Sequence, residues 1–465
     1  MESIVLQESR SPLYQQVYAK LTAEIQSGAL AAGEKLPAKR RLAADLHISL
    51  NTVDTAYQML AAEGYVTAKP RSGFYVCRIE RLTPQLFAPA APVCAAPTPC
   101  YAYDFETASI DTALFPFKTW RRLGRDAAAS PALLNHGARQ GDANLRTAIA
   151  TYLHEYRGAR CSAAQIVVGA GIEYLLGMLA RMFHTAVFAV ENPGYARTHR
   201  ILENNGAAVR FVPVDESGLC DAALAASGAT LAYVTPSHQF PTGVTMPIGR
   251  RIALLQWAKR TGGYLIEDDY DSEFRFDGKP LASLQGLDDS GHVIYISTFS
   301  KSIAPAIRIG YMVLPTALLA LFEQEFGFYS STVSRFEQQT LCRFMEGGYF
   351  ARHLARLRNA YRIRRDVLAS ALITAFGREN CTITGAHTGL HLLFRLRTAD
   401  SEAALVQKAA AYGVHLNGLS AYYAADTAAA CPPRTVVLGY AGLSETQITQ
   451  AVAALKLAWE CKKDD

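Results

Sequence analysis

The stretch Ser297-Thr298-Phe299-Ser300-Lys301-Ser302-Ile303-Ala304-Pro305-Ala306-Ile307-Arg308-Ile309-Gly310-Tyr311 decides how the larger part of this chain is read. It leaves a β-branched, apolar run, Val293 to Ser297, that reads as a buried strand, and a second such run, Ile309 to Leu314, follows. A lysine at the end of a buried strand sheds its proton more readily than one in water and then attacks aldehydes. The hydroxyls of Thr298 and Ser300, with the guanidinium of Arg308, are groups that hold a phosphate. Aldehyde and phosphate on one molecule describe pyridoxal 5′-phosphate (PLP). Taken alone, the stretch also reads as a surface lysine beside a serine-rich turn, so the rest of the chain must decide.

Upstream lies Tyr264-Leu265-Ile266-Glu267-Asp268-Asp269-Tyr270-Asp271-Ser272-Glu273-Phe274, an apolar strand ending in acids and a tyrosine. PLP acts as an electron sink when a fixed carboxylate keeps its pyridine nitrogen protonated. A phenol at the ring 3′-oxygen tunes the bond to the lysine. Asp268 and Tyr270 alternate so as to share one face at the strand's end. The other readings are a solvated acidic turn or a metal site; the apolar lead-in and the lack of clustered histidines count against the metal.

Other segments fall into line. Val167-Val168-Gly169-Ala170-Gly171-Ile172-Glu173 reads as strand, glycine turn and helix start, so the amides of Gly171 and Ile172 suit a phosphate. Glu191-Asn192-Pro193-Gly194-Tyr195-Ala196-Arg197 supplies an aromatic after a turn, fit to stack on a ring, and Ser237 to Gly243 forms another strand-end loop. Polar groups at the ends of successive strands are where open α/β sheets bind ligands.

With these motifs assembled, residues from about 103 to 460 resemble a fold-type I aminotransferase domain. Phe115-Pro116-Phe117, Asn192-Pro193-Gly194-Tyr195, Pro241-Thr242-Gly243, Glu267-Asp268-Asp269-Tyr270-Asp271, Ser300-Lys301 and Leu438-Gly439-Tyr440-Ala441 carry the resemblance in order. More narrowly, the chain resembles the MocR group of GntR regulators, in which such a domain follows a winged-helix reader. The resemblance implies that Lys301 bonds covalently to the PLP aldehyde, Asp268 faces the pyridine nitrogen, and Tyr270 the 3′-oxygen. It also implies that Tyr195 stacks on the ring, while Arg308, Thr298, Ser300 and the amides at Gly171 and Ile172 hold the phosphate. His136 stands where a tyrosine often reaches the partner's phosphate; it either does the same or is a plain surface histidine.

The first eighty residues read differently. Leu13, Val17, Leu21 and Ile25 form one apolar stripe of a helix that stops at Gly28. Arg41 to His47 makes a short second helix with Leu42 and Leu46 inward, and Ser49 is a candidate N-cap for a third. That third helix turns Val53, Tyr57 and Leu60 inward and ends at Gly64; Tyr65 to Ala68 and Phe74 to Val76 read as a two-stranded wing. The pattern Leu36-Pro37, Arg40, Leu42-Ala43, Leu46, Ile48-Ser49, Asn51-Thr52-Val53, Ala56-Tyr57, Leu60, Glu63-Gly64-Tyr65-Val66 and Gly73-Phe74-Tyr75-Val76 closely resembles the GntR winged helix-turn-helix. Its third helix would enter the major groove of duplex DNA, with Arg40, Asn51, Thr52, Arg71 and Gly73 as contact candidates. Charge alone does not make this case. Nine lysines and arginines against eight acids leave residues 1–80 at +1, with the positive charge local to Lys39-Arg40-Arg41 and Lys69/Arg71. Leu50 stands where the family commonly has arginine.

The expected organisation is a DNA-binding domain over 1–77, a tether over 78–102 with prolines at 84, 89, 92, 97 and 99, and an effector and dimerisation domain over 103–462. The fold class is α/β: a mainly parallel-sheet large domain to roughly 330, then a smaller lobe. Family resemblance implies a homodimer, with domains swapped between subunits, since two half-sites need two readers. Nine scattered cysteines, with no Cys-x-x-Cys pair, point to free thiols in a reducing cytoplasm, and no apolar run is long enough for a membrane span. Met1-Glu2-Ser3 lacks the basic and apolar regions of a signal peptide, and no metal site is expected.

Departures from the enzymes point to function. Catalytic relatives clamp a substrate carboxylate with an arginine where this chain has Val437; Arg434 is three residues away and reads as a surface residue. Phe240 replaces an asparagine often bonded to the 3′-oxygen. The expectation is therefore a transcription regulator whose aminotransferase-like domain senses PLP, or an amino compound held by Arg197, rather than an enzyme. The alternatives are an aminotransferase with an attached DNA-binding domain and a dimer scaffold with a dead site.

Overall fold

The computed structural model describes residues 11–79, 101–276 and 281–460. The chain divides into two compact units, Met1–Pro97 and Thr98–Asp465. Most of the expected tether lies outside the described residues.

In the first unit, α1 (Leu13–Ser27), α2 (Lys39–Asp45) and α3 (Leu50–Ala62) precede a hairpin of β1 (Val66–Lys69) and β2 (Gly73–Val76). The hairpin sets Val66 opposite Val76. Helix α1 forms because Val17, Leu21 and Ile25 share one face and bury with Val53, Tyr57 and Leu60 of α3. Leu13, expected on that stripe, is exposed, because it opens the first turn before the face reaches the core. Helix α2 starts at Lys39 rather than Arg41 and ends before His47, whose φ of 54° is left-handed and breaks it. Ser49 caps α3, its Oγ accepting the Thr52 amide at 3.2 Å. The Tyr57 ring meets Phe74 edge-on at 5.2 Å and its hydroxyl donates to the Pro37 carbonyl, so the wing is packed onto α3.

The second unit is built on eight strands: β4 (Ile166–Gly169), β5 (Val187–Asn192), β6 (Ala208–Asp215), β7 (Gly218–Leu219), β8 (Leu231–Val234), β9 (Tyr264–Asp269), β10 (Val293–Thr298) and β11 (Gly310–Val313). They lie in the order β4-β11-β10-β9-β8-β5-β6-β7. All pairs are parallel except those of β11 with β10 and β4, and of β7 with β6. Strands β4, β8, β9 and β10 are buried on both faces, which is why they read as continuous apolar runs. Ile294 and Ile296 pack towards the helix Ile172–Met182, while Tyr295 packs the other way, towards the helices Ala143–Arg157 and Arg335–Glu346.

The long helix Tyr349–Phe376 leads into the smaller lobe. Its antiparallel sheet runs β12 (Cys381–Thr384), β13 (His391–Leu396), β16 (Thr435–Gly439), β15 (Asn417–Gly418). A short strand, β14 (Val414–His415), pairs in parallel with β3 (Tyr103–Asp104), tying the start of the domain to its end. Phe394 and Trp459 stack at 6.0 Å inside this lobe. Among the described residues no helix is long and apolar enough to cross a membrane, and the six cysteines are all free.

Candidate functional site

Strands β9 and β10 run in register, with Asp268 beside Ile296 and Asp269 beside Ser297. Tyr270 and Lys301 therefore come just after neighbouring strand ends, on the carboxyl edge where open sheets bind ligands. The Nζ of Lys301 donates to the carbonyl of Thr107. Burial pulls its ammonium down to about 8, against the pull of Asp271 and Glu106. Near neutrality a usable fraction of this amine is a nucleophile.

The Asp268 side chain accepts a hydrogen bond from the hydroxyl of Tyr233 at Oδ2, while its buried Oδ1 has no hydrogen-bond partner among the described residues. Burial pushes this carboxyl up to about 8; the Tyr233 bond works against the rise, and Asp269 and Asp271 add to it. A buried carboxylate with one unpartnered oxygen suits a protonated ring nitrogen. Asp269, next in sequence, serves the fold. Arg157 donates to its Oδ2 at 2.7 Å, to Ser237 Oγ at 2.7 Å and to the Leu281 carbonyl at 2.6 Å. Tyr295 donates to the same Asp269 oxygen from the neighbouring strand.

At the other end of the site, Gly171 precedes the helix Ile172–Met182 with a φ of 89°. A Cβ there would lie 2.8 Å from the Arg308 guanidinium, so only glycine lets that arginine lie against the helix N-terminus. Thr298 Oγ1 and Ser300 Oγ lie 2.8 Å apart, and Thr298 pairs with Gly310, which itself abuts Gly171. The structure thus brings together Gly171, Ile172, Thr298, Ser300 and Arg308. Arg308 donates to Ala170 O at 3.1 Å and to Glu173 Oε2 at 2.7 Å.

Aromatic rings line the space between. Phe240 meets Tyr195 at 5.9 Å, Tyr270 at 6.2 Å, and both Tyr422 and His391 at 5.1 Å. Val437 is buried against Leu393 and Leu419 with Tyr422 and Tyr423 packed on them, so its surroundings are largely apolar.

Two expectations need correction. Arg197, expected to hold an amino compound, does not lie on an extended segment that would set it on the same face as Tyr195, because a helix starts at Ala196 directly after the Pro193-Gly194 turn. Arg197 is largely exposed and reaches Glu173 Oε1 at 3.6 Å, so it shares that carboxylate with Arg308. The histidines do cluster: His238 and His391 stand 4.8 Å apart beside Asp271, all buried. All three already take part in hydrogen bonds, His238 with Asp271 and His391 with the Pro241 carbonyl. His136 is exposed, away from these groups' hydrogen bonds.

Tyr233, His238, Asp271, Thr107 and Tyr422 escaped the sequence reading. Tyr233 lies on β8, opposite Ile266, and meets Asp268 only through strand pairing. Ser237-His238-Gln239 was seen as a loop, but nothing in the spacing pairs His238 with Asp271.

In the first unit, Arg40 and Asn51 are exposed near the starts of α2 and α3. Thr52 is half-buried, its hydroxyl 2.8 Å from Ser49 Oγ. Lys39 is paired with Asp54 and Arg41 faces Asp45 at 3.9 Å, which leaves Arg40 without an ion pair among the described residues. Arg71, at a left-handed φ of 60°, and Gly73 form the exposed tip of the wing.

Residues 104–455 match the aminotransferase class I and II family, and residues 13–76 match the bacterial regulatory proteins of the gntR family. The chain belongs to the MocR-type HTH transcriptional regulators of the GntR family, DNA-binding proteins that carry an aminotransferase-like domain. It is 39% identical to the uncharacterized HTH-type transcriptional regulator YdeL of Bacillus subtilis over 97% of each chain. It is 34% identical to the probable rhizopine catabolism regulatory protein MocR of Rhizobium meliloti, over 96% of this chain and 94% of that one. It is 33% identical to the pyridoxine biosynthesis transcriptional regulator PdxR of Corynebacterium glutamicum, over 92% of each. The fold is similar to that of Pyrococcus horikoshii kynurenine aminotransferase, with a TM-score of 0.67 at 23% identity, covering 78% of this chain and 91% of that one. The aminotransferase family is one of PLP-dependent folds.

Proposed function

We propose that this regulator takes PLP at Lys301 and uses it as a signal, with the aminotransferase-like domain serving as sensor and the first unit as reader of duplex DNA. What supports this reading is a buried lysine with a lowered ammonium pKa and a buried, unpartnered Asp268 oxygen in one domain with a buried valine, Val437, where the enzymes resembled carry arginine. When bound, PLP supplies an aldehyde and an electron-withdrawing ring. Lys301 would hold the aldehyde carbon, Asp268 Oδ1 the ring nitrogen, Tyr270 the 3′-oxygen and Tyr195 the ring face. Gly171, Ile172, Thr298, Ser300 and Arg308 would hold the phosphate, for which Arg308 would leave Glu173. His136 is assigned to the partner subunit's phosphate, and the assembly to a homodimer. Without an arginine clamp, amino-acid carboxylates gain no bidentate bond, and efficient transamination is not expected. An amino compound held by Arg197, which is exposed beside Glu173, is the second reading.

Titration of the purified protein with PLP tests this. Visible absorbance should appear with wild type and not with Lys301→Ala. The affinity for DNA from the gene's own upstream region should differ between the apo and PLP-loaded forms. A protein that stays colourless in excess PLP overturns the cofactor reading. Rapid keto-acid formation from amino acids restores the enzyme. A selective spectral change with one amine, lost in Arg197→Ala, favours the second reading.

A further inference from the structure

Tyr270 Oη and Asp271 Oδ2 both lie within hydrogen-bond distance of one nitrogen, His238 Nδ1, at 3.0 and 2.9 Å. His238 and Asp271 are each 1% exposed. The backbone is shaped around them: Gly389 has a φ of 75°, and a Cβ there would lie 1.9 Å from the imidazole Cε1 and 2.6 Å from Asp271 Oδ2. Besides Tyr270, the titratable groups facing this pair include His391, its ring tilted against the imidazole, Lys301, which acts on both Asp271 and His391, and Asp268 and Tyr440, which both feel the Asp271 charge. Burial, and then His238, hold His391 well below its ordinary value; it is neutral, with its Nε2 hydrogen donated to the Pro241 carbonyl. Burial and the carboxylates of Asp271 and Asp268 raise the Tyr270 phenol, which keeps its proton.

A single nitrogen offers either one N–H or one lone pair. With the hydrogen on Nδ1, the Asp271 carboxylate receives a charge-assisted bond, and the Tyr270 oxygen can face the same N–H only as a second acceptor. Its own O–H then points away from His238. With a lone pair on Nδ1, the phenol would donate inward, and the Asp271 carboxylate would face that lone pair at 2.9 Å with no proton between them. The first arrangement is the stable one. It leaves the buried His238 Nε2 as an acceptor, and that atom has no hydrogen-bond partner among the described residues.

We propose that the His238–Asp271 pair is a positioning device that turns the Tyr270 proton outward, onto the phenolic 3′-oxygen of the bound cofactor. The inference rests on the cofactor reading above and names what controls that site. Phe240 brings no polar side-chain atom to the same oxygen, so the direction of the Tyr270 proton decides how well its anion is stabilised. A donated hydrogen bond to that anion lowers the pH at which the lysine-bound cofactor titrates.

The test follows the visible absorbance of PLP-loaded, full-length protein against pH. Tyr270→Phe should raise the titration midpoint by about one to two units, the worth of one hydrogen bond to a charged group. Asp271→Asn should raise it in the same direction but by less, because it also removes a carboxylate that favours the Lys301 cation, and the double variant should move no further than Tyr270→Phe alone. His238→Phe should repeat the shift, whereas His238→Asn, whose amide can still donate to Asp271, should restore a midpoint near wild type. If Tyr270→Phe shifts the midpoint while Asp271→Asn and His238→Phe do not, the pair is structural only and the inference falls. If Tyr270→Phe itself changes nothing, Tyr270 is not at the 3′-oxygen. Absence of any visible band falls instead on the cofactor reading, and on this inference with it.

Discussion

Replacing Asp268 by asparagine should stabilise the apo protein and weaken its grip on PLP, two effects of opposite sign from one atom. In the folded chain this carboxyl is pushed up to about 8, mainly by burial, with Oδ1 unpartnered. Between the ordinary carboxylate value and that point, the native state holds a proton the unfolded chain has released. Apo stability therefore falls as pH rises from about 4 to about 8 through this group. At pH 7, some three units above the ordinary value, the cost is about 4 kcal/mol. Asparagine keeps an acceptor for Tyr233 and cannot ionise. After its own amide is buried, it should recover about 1–2 kcal/mol, a rise of about 2–4 °C in apo Tm. It also removes a charge-assisted bond to a pyridinium, worth about 1.5–3 kcal/mol, or roughly ten- to hundredfold in Kd. Thermal unfolding of both proteins at several pH values, with and without PLP, measures both effects. A variant that is less stable without PLP, and whose stabilisation by PLP equals that of wild type, would refute the assignment of Oδ1 as a site awaiting a cation.

Two further outcomes follow. Arg157→Ala should cost about 3–5 kcal/mol in chemical denaturation, because it strands Asp269 as an unpaired buried charge and unties Ser237 and the Leu281 carbonyl; a loss below about 1 kcal/mol would contradict that network. Arg40→Ala should weaken DNA binding evenly across sequences and lower the slope of log K against log salt by about 1, while Asn51 variants alter sequence preference; an unchanged slope removes Arg40 from the phosphate contacts.

The sequence by itself determined the parts whose signal is local. The apolar stripe Val17, Leu21, Ile25, the Ser49 cap and the strand runs of β9 and β10 follow from side-chain periodicity and capping chemistry, which neighbours in sequence enforce. Lys301, Asp268 and Tyr270 were legible because each sits where a buried strand meets a polar turn. Only the tertiary structure decided what those groups face. Tyr233 reaches Asp268 across a strand pair, Thr107 takes the Lys301 amine from a segment nearly two hundred residues upstream in sequence, and His238 joins Asp271 from another strand-end loop. Arg197 shows the same limit from the other side, since the helix beginning at Ala196 sets a residue expected to hold an amino compound against Glu173. Local rules set which groups are available at each strand end; sheet order and burial set which of them meet, and with what charge.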